Sequence, residues 1–350
     1  MVDNRSDSTA AVLPRPRVAE LTPGYFALVM ASGIISLGLE LLGLSTVSRV
    51  LWVVAAAAYL VLIGLNGWRL AAARLEMGRD LRDPRRGFGF FTFVAATNVL
   101  AARCAAAGWY LPAKVLFVIG LAAWLVLGYL IPWIAVLGRT ERPVVASANG
   151  SWFVWVVASQ SVAVVAATLE PVWAGLRPGL AVIAVLSWSV GVFLYAAAAM
   201  LVALRLLLYP LTPQEFDPQY WVSMGAVAIT VVAGSRIVEM ESTPMVDATR
   251  GLVAGLSVVF WAFATWLIPV LIAAGVWRHA ARRIPLRYVP TLWSMVFPLG
   301  MYSVAGIYLG RADSLPLVAW IGSAWMWLAA PVWALVFLAM VRDVAKALSR

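Results

Sequence analysis

The chain has 350 residues, 63% of them hydrophobic and only 12% charged, with a mean hydropathy of +0.90 and a formal net charge of +10. A soluble domain carries roughly 45–50% apolar and about 25% charged residues, so this apolar excess does not fit a soluble core and lipid must be the solvent. The basic surplus would suit nucleic acid, but it is spread over loops in the manner of a membrane-topology signal, which argues against a nucleic-acid partner.

Residues 1–20 contain no apolar run and read as a disordered cytoplasmic tail, not a cleaved signal peptide. Ten uncharged stretches long enough to cross a membrane follow, near 21–39, 50–68, 87–102, 115–138, 143–169, 178–204, 218–235, 251–277, 288–310 and 314–341. The third is short alone but continues past Arg103 to about Gly108. A barrel would show segments of about 10 residues alternating in polarity, and none appear. The expected fold is therefore an all-α integral membrane domain over 21–345, preceded by the tail. Ten spans put both termini on one side. Only Arg49, Arg103, Lys114, Arg177, Arg236, Arg250 and Arg311 fall toward the other side, leaving 19 of the 26 Lys and Arg residues on the tail side. Basic loops stay cytoplasmic, which predicts a multi-pass protein of the cytoplasmic membrane with both termini inside. The single cysteine, Cys104, excludes an internal disulfide and reads as a packing residue.

The odd-numbered segments stack on one another. "GYFALVMASGIISLGLELLG" from Gly24, "GFFTFVAATNVLAARCAAAG" from Gly89, "SWFVWVVASQSVAVVAATLE" from Ser151, "YWVSMGAVAITVVAGSRIVE" from Tyr220 and "TLWSMVFPLGMYSVAGIYLG" from Thr291 each begin with aromatics and pass into small residues. Anchoring on Phe26, Phe91, Phe153, Trp221 and Trp293 gives steps of 65, 62, 68 and 72 residues, one helical hairpin per repeat. The even segments are uniformly apolar and suit a lipid-facing outer ring. The odd ones carry Ser32, Thr97, Asn98, Ser159, Gln160, Thr230, Ser294 and Ser303, and polar groups at membrane depth tend to face a bundle interior or a water-filled path. Five hairpins with an inner ring of odd helices around a narrow pore are expected.

Four residues past the anchors lie Met30, Ala95, Val157, Gly225 and Phe297, one layer around the axis if the register holds. Together with Gly33, Asn98, Gln160 and Ala228 they are the candidate pore lining. All of the first five but Phe297 are small or slim. Pro298, next to it, removes a backbone hydrogen bond and is expected to kink the ninth helix, with Gly300 easing the bend. Phe297 thus reads either as a plug or as a ring packed into the space left by Gly225.

The ten-segment layout, "TPGYFALVMASGI" at the start and "LWSMVFPLGMYSVA" in the ninth segment resemble the tellurite-resistance/dicarboxylate transporter family, which includes plant slow anion channels, bacterial anion channels and yeast malate and sulfite carriers. The resemblance spans roughly 20–345. It implies a homotrimer, each protomer with its own pore inside five hairpins, gated by a phenylalanine just before the kink, for which Phe297 is the matching residue. The plant channels are controlled through long phosphorylated termini; with about 20 residues before the first segment and few after the last, that regulation is not expected here.

No ring of carboxylates marks the candidate lining, which argues against cation selectivity. Arg103 and Arg236 are placed to attract anions at the outer vestibule, although Glu40, Glu170 and Glu239 at similar depth offer structural ion pairing instead. The one histidine, His279, sits in a basic link and not at a relay position. No cluster suits a metal, no serine has a histidine partner at depth and no glycine-rich phosphate loop precedes a helix, so neither an enzyme nor a cofactor is expected. The expected activity is passage of small anions, with lipid as surroundings. The alternative is a secondary carrier, proton-coupled in one form, of C4-dicarboxylates such as malate, or efflux of sulfite or tellurite-related anions.

Overall fold

The computed structural model describes residues 17–138 and 143–349. Among them are ten helices long and apolar enough to span a membrane: α1 (Pro23–Leu41), α2 (Ser45–Ala72), α3 (Gly87–Ala106), α4 (Tyr110–Leu137), α5 (Gly150–Val172), α6 (Ala174–Leu208), α7 (Pro218–Val238), α8 (Pro244–Ala281), α9 (Pro290–Ala312) and α10 (Pro316–Ala347). A short helix, Arg74–Arg82, lies between α2 and α3. No strand occurs among the described residues.

The odd helices start alike. Each opens on a 3-10 turn, and Pro23, Pro218 and Pro290 supply the fixed φ suited to a first helical position. Two starts are capped from the side chain: Asn149 accepts from the Ser151 N–H at 2.8 Å and Asp217 from the Gln219 N–H at 3.0 Å. Three odd helices also end alike. Gly43 (φ +79°), Gly108 (φ +77°) and Ser314 (φ +54°) take the left-handed conformation that reverses the chain. The following N–H groups of Leu44, Trp109 and Leu315 then bond back to Leu39, Cys104 and Gly310, each at 2.9 Å. Only glycine adopts this conformation without strain, and Ser314 carries the cost of its Cβ.

Burial separates the two helix sets. The apolar windows of the odd helices are 78–89% buried and those of the even helices 22%. α1 packs on α3, α3 on α5, α5 on α7, α7 on α9, and α9 returns to α1, so the odd helices close a ring. Each even helix packs on its hairpin partner from outside and also reaches the next odd helix around the ring. Their outer faces, with Val53, Leu60, Phe193, Leu207, Trp266 and Trp320 exposed, form a surface made for lipid.

Some expected boundaries move. The stretch near 50–68 is the helix Ser45–Ala72, and that near 251–277 is Pro244–Ala281. Counting uncharged residues stops at Arg49, Arg69 and Arg250. A helix continues through such residues because their long side chains run back to partners or to the interface. Arg69 does so in full burial, bonding Asp80 at 2.5 Å and the Ala19 carbonyl at 3.1 Å. Ala19 belongs to a 3-10 turn, Arg17–Glu20, so the last four residues read with the disordered tail are held against α2. Residues 1–16 lie outside the described set, as do Arg139 and Arg142 of the basic side.

The placement of the inner polar side chains also needs correction. Most turn outward to the even helices, away from the axis. Ser32 accepts from the Trp333 indole at 2.9 Å, Thr97 pairs with Tyr59 at 2.9 Å, Ser159 accepts from Trp124 at 2.8 Å, and Ser303 donates to the Gly322 carbonyl at 2.6 Å. With hydrophobic attraction between helices absent in lipid, such bonds clamp the outer helix to the ring, and burial there satisfies the hydroxyls as well as a water path would.

Candidate functional site: a closed axis inside the five-helix ring

A cavity of about 230 Å³ lies inside the ring and is lined by all five odd helices. Its lining follows the repeat. Four residues past the Met30, Ala95, Val157, Gly225 and Phe297 layer come Ile34, Val99, Ser161, Ile229 and Met301. Seven past it come Leu37, Ala102, Val164 and Val232, and eleven past it Ala106, Thr168, Arg236 and Tyr308. Steps of four, three and four keep to one helical face. The cavity therefore runs along the axis toward the C-terminal ends of the odd helices, where Tyr110, Pro171 and Val172 frame its mouth.

It ends where that first layer begins. Met30 is 2% exposed, Ala95 and Val157 0%, Phe297 1%, and Gly225 is buried. On α9, Met301 and Tyr308 line the cavity, while Gly306, half a turn away from Phe297, meets Gly322 of α10. Phe297 thus shares the helical face that borders the axis. Its neighbours fix α9 on both sides. A Cβ on Gly225 of α7 would stand 2.7 Å from the Pro298 ring, and one on Gly300 would stand 2.8 Å from Ile35 of α1. The space left by Gly225 is therefore taken by the proline ring and not by Phe297. α9 stays helical across Pro298.

Of the other candidate lining residues, only Asn98 borders the cavity. Gly33 meets Val99, with 2.5 Å left for a Cβ, and so serves the approach of α1 to α3. Gln160 turns to α6, donating to the Trp188 carbonyl at 3.1 Å over Gly191, because its amide finds no partner on the axis. Ala228 is fully buried beside the cavity-lining Ile229. The polar part of the floor is a pair: Asn98 Nδ2 donates to Ser161 Oγ at 2.9 Å, and Ser161 donates to the Ala158 carbonyl at 2.7 Å. Asn98 Oδ1 has no partner. The candidate lining does not include Ser161, Met301 and Tyr308, although the stacked repeats read four and eleven residues further reach them.

The two arginines divide. Arg103 is 2% exposed and does not line the cavity; it donates to Ser36 at 3.0 Å, Glu40 at 2.9 Å and Ser48 at 3.0 Å, and lies over the Trp52 ring. This corrects its assignment to the vestibule: its donors are spent on α1 and α2, and a guanidinium is costly to bury without such partners. Arg236 does line the outer part of the cavity, over the Tyr308 ring and paired with Glu239 at 2.5 Å. His279 is not among the lining residues; its Nδ1 lies 2.8 Å from the Ile284 carbonyl.

On the opposite, loop-covered side, Arg85, Arg205, Glu215, Asp217 and Tyr220 surround a polar pocket of about 180 Å³. Glu215 accepts from the Thr212 N–H, which together with Arg205 and Arg85 holds its carboxyl below the usual range. Burial pushes Asp217 up to about 6, against the Gln219 N–H and Arg278. No group of three or more His, Cys, Asp or Glu suited to a metal occurs among the described residues.

Residues 20–341 match the model of the voltage-dependent anion channel family. The chain belongs to the voltage-dependent anion channel family. An uncharacterized membrane protein of Mycobacterium tuberculosis is 56% identical over 158 residues, 45% of this chain and 80% of that protein. An uncharacterized transporter of Methanocaldococcus jannaschii is 23% identical over 339 residues, 93% of this chain and 94% of the relative. A second from the same organism is 22% identical over 232 residues, 66% of each. This member of the voltage-dependent anion channel family is thus a multi-pass membrane protein of an anion-transporting family, which points to a channel or transporter and away from an enzyme.

Proposed function

We propose that this protein passes small monovalent anions along the axis of its five-helix ring, with Phe297 as the gate and a bend at Pro298 as its support. One observation carries the reading: a cavity lined by all five odd helices stops at the layer that contains Phe297. The rest of that layer is Met30, Ala95, Val157 and Gly225, so Phe297 is its one aromatic ring. The cavity walls are mainly apolar, with Asn98, Ser161, Thr168 and Arg236 as polar points. Such walls replace little of an ion's hydration and favour weakly hydrated anions over dianions. The basic tail-side loops support cytoplasmic termini, so the cavity opens outward. A homotrimer with one pore per protomer is the assembly that the family resemblance implies.

The test is anion flux for chloride, nitrate and malate in liposomes or planar bilayers, comparing wild type with Phe297→Ala. Truncating a buried phenylalanine removes about 3–5 kcal/mol of packing. If that packing holds the gate shut, chloride and nitrate flux rises by roughly two to four orders of magnitude. Unchanged anion flux together with saturable malate uptake would instead select the carrier of dicarboxylates.

A further inference from the structure

We propose that the groove formed by the tail-side ends of α7, α8 and α9 binds one anionic phospholipid, with an acyl chain along α8 and the phosphate on the guanidinium of Arg278. This is independent of whether the axis conducts.

The groove is about 430 Å³. Leu271, Gly275 and Arg278, with Ile272, Val276 and His279 beside them, border it from α8 in steps of four and three, which keep to one helical face. Trp221 of α7 and Leu292 and Met295 of α9 form the facing wall. Ile272 is 49% and Val276 59% exposed, so the groove opens on the outer surface of the bundle, where lipid lies. Its two ends differ. Around Leu271, Ile272 and Met295 the border is apolar. The polar groups gather about 10 Å further along α8, at the tail-side end, where Arg278, His279 and Asp217 border the groove together. A slot that is apolar toward the membrane and charged toward the tail-side interface has the polarity of a lipid lying along α8, and not that of a hydrated ion.

The charged end decides which lipid. Arg278 reaches across it from α8, and its Nη1 donates to the Phe216 carbonyl. Phe216 is itself fixed by stacking on Tyr220, with ring centres 4.5 Å apart. The other edge of the guanidinium is unused: Nε has no partner, and Nη2 bonds to nothing among the described residues. Two parallel N–H groups on one edge are what a phosphate accepts from an arginine. Among the described residues Arg278 makes no ion pair, and neither do Arg282, Arg283 and Arg287. Arg282 and Arg283 lie in the chain between Ala280 and Leu286, both of which border the groove. From Arg278 to Arg287 there are four arginines and no acid. Against them stands Asp217, whose Oδ1 is taken by the Gln219 N–H at 3.0 Å and whose charge is curbed by burial, which pushes it up to about 6. A zwitterionic headgroup would bring its ammonium among these arginines; a headgroup of net negative charge brings none.

Gly275 supplies a test of the groove, because a Cβ there would have nothing within 4 Å. Gly275→Leu therefore places carbon in the slot without a clash, and leucine is the better helix former. Purified full-length protein would be titrated with phosphatidylglycerol or phosphatidylcholine and bound lipid read by native mass spectrometry. Wild type is expected to hold one phosphatidylglycerol per chain more tightly than phosphatidylcholine. Arg278→Gln should weaken phosphatidylglycerol binding by roughly 10- to 100-fold, the worth of hydrogen bonds to a charged group, and so remove the preference. Asp217→Asn, which takes away the acid bordering the groove, should strengthen it. Gly275→Leu should weaken the tight site by about ten-fold or more while its lipid-free thermal midpoint holds or rises. Equal retention of the two lipids by wild type overturns the proposal, as does an unchanged preference in Arg278→Gln or wild-type binding by Gly275→Leu. So does a change of oligomeric state in Gly275→Leu, which would make a second copy of the chain the occupant.

Discussion

The contact between Gly225 and Pro298 can be tested as a quantitative unit. The ideal Cβ of an alanine at 225 would lie 2.7, 3.1 and 3.2 Å from Pro298 Cγ, Cβ and Cα. Carbon atoms rest at about 3.5–4.0 Å, so α7 and α9 must part by roughly 1 Å at this level. A proline ring has no rotamer with which to yield, and Ile35 blocks retreat on the Gly300 side. Overpacking of this size costs about 1–3 kcal/mol, against at most about 1 kcal/mol gained by replacing glycine within a helix. Gly225→Ala is thus expected to lose about 1–2 kcal/mol, a fall of roughly 1–3 °C in thermal midpoint for a chain of this length. Pro298→Ala removes the obstructing ring, so the double variant should be less damaged than the two single effects combined, with a coupling of about 1 kcal/mol or more. The assay is thermal unfolding of the detergent-solubilised protein, followed by intrinsic fluorescence. Wild-type stability in Gly225→Ala, or strict additivity in the double variant, would refute the view that α7 braces α9 beside Phe297.

The two membrane-depth arginines separate by readout. Arg103→Gln strands Glu40, Ser36 and Ser48 and should cost toward the low end of ~3–5 kcal/mol, since Glu40 keeps some contact with water; thermal unfolding measures it. Arg236→Gln should leave stability nearly unchanged and lower anion flux most at low ionic strength, which flux assays across a salt series would show. Asp217 gives a pH test. Its carboxyl is raised by burial from the usual 3.8 to about 6, so the folded state holds a proton that the unfolded state has released, and stability falls as pH rises between those values. Asp217→Asn keeps an acceptor for the Gln219 N–H and should raise the thermal midpoint at pH 8 but not below pH 4. An equal shift at both pH values would remove titration as the cause.

What the sequence determined is what a single period or a single composition encodes. Apolar length set the number of helices, because an unsatisfied backbone in lipid leaves no other all-α solution. The contrast between aromatic-then-small and uniformly apolar segments set which helices are buried, and the 62–72-residue steps between aromatic anchors set the register that the cavity lining follows. Tertiary structure decided the direction of each side chain within that ring. Gln160 and Ser161 are adjacent in sequence and equally polar, yet one is spent on the Trp188 carbonyl and the other on the cavity floor. Arg103 and Arg236 occupy similar depths, but only Arg236 reaches the axis, because Ser36, Glu40 and Ser48 converge on Arg103 from α1 and the start of α2. A residue's own helix fixes its angle to within one face. Which neighbour meets that face, and with what partner, is set by packing between segments remote in the chain, and no local pattern carries that information.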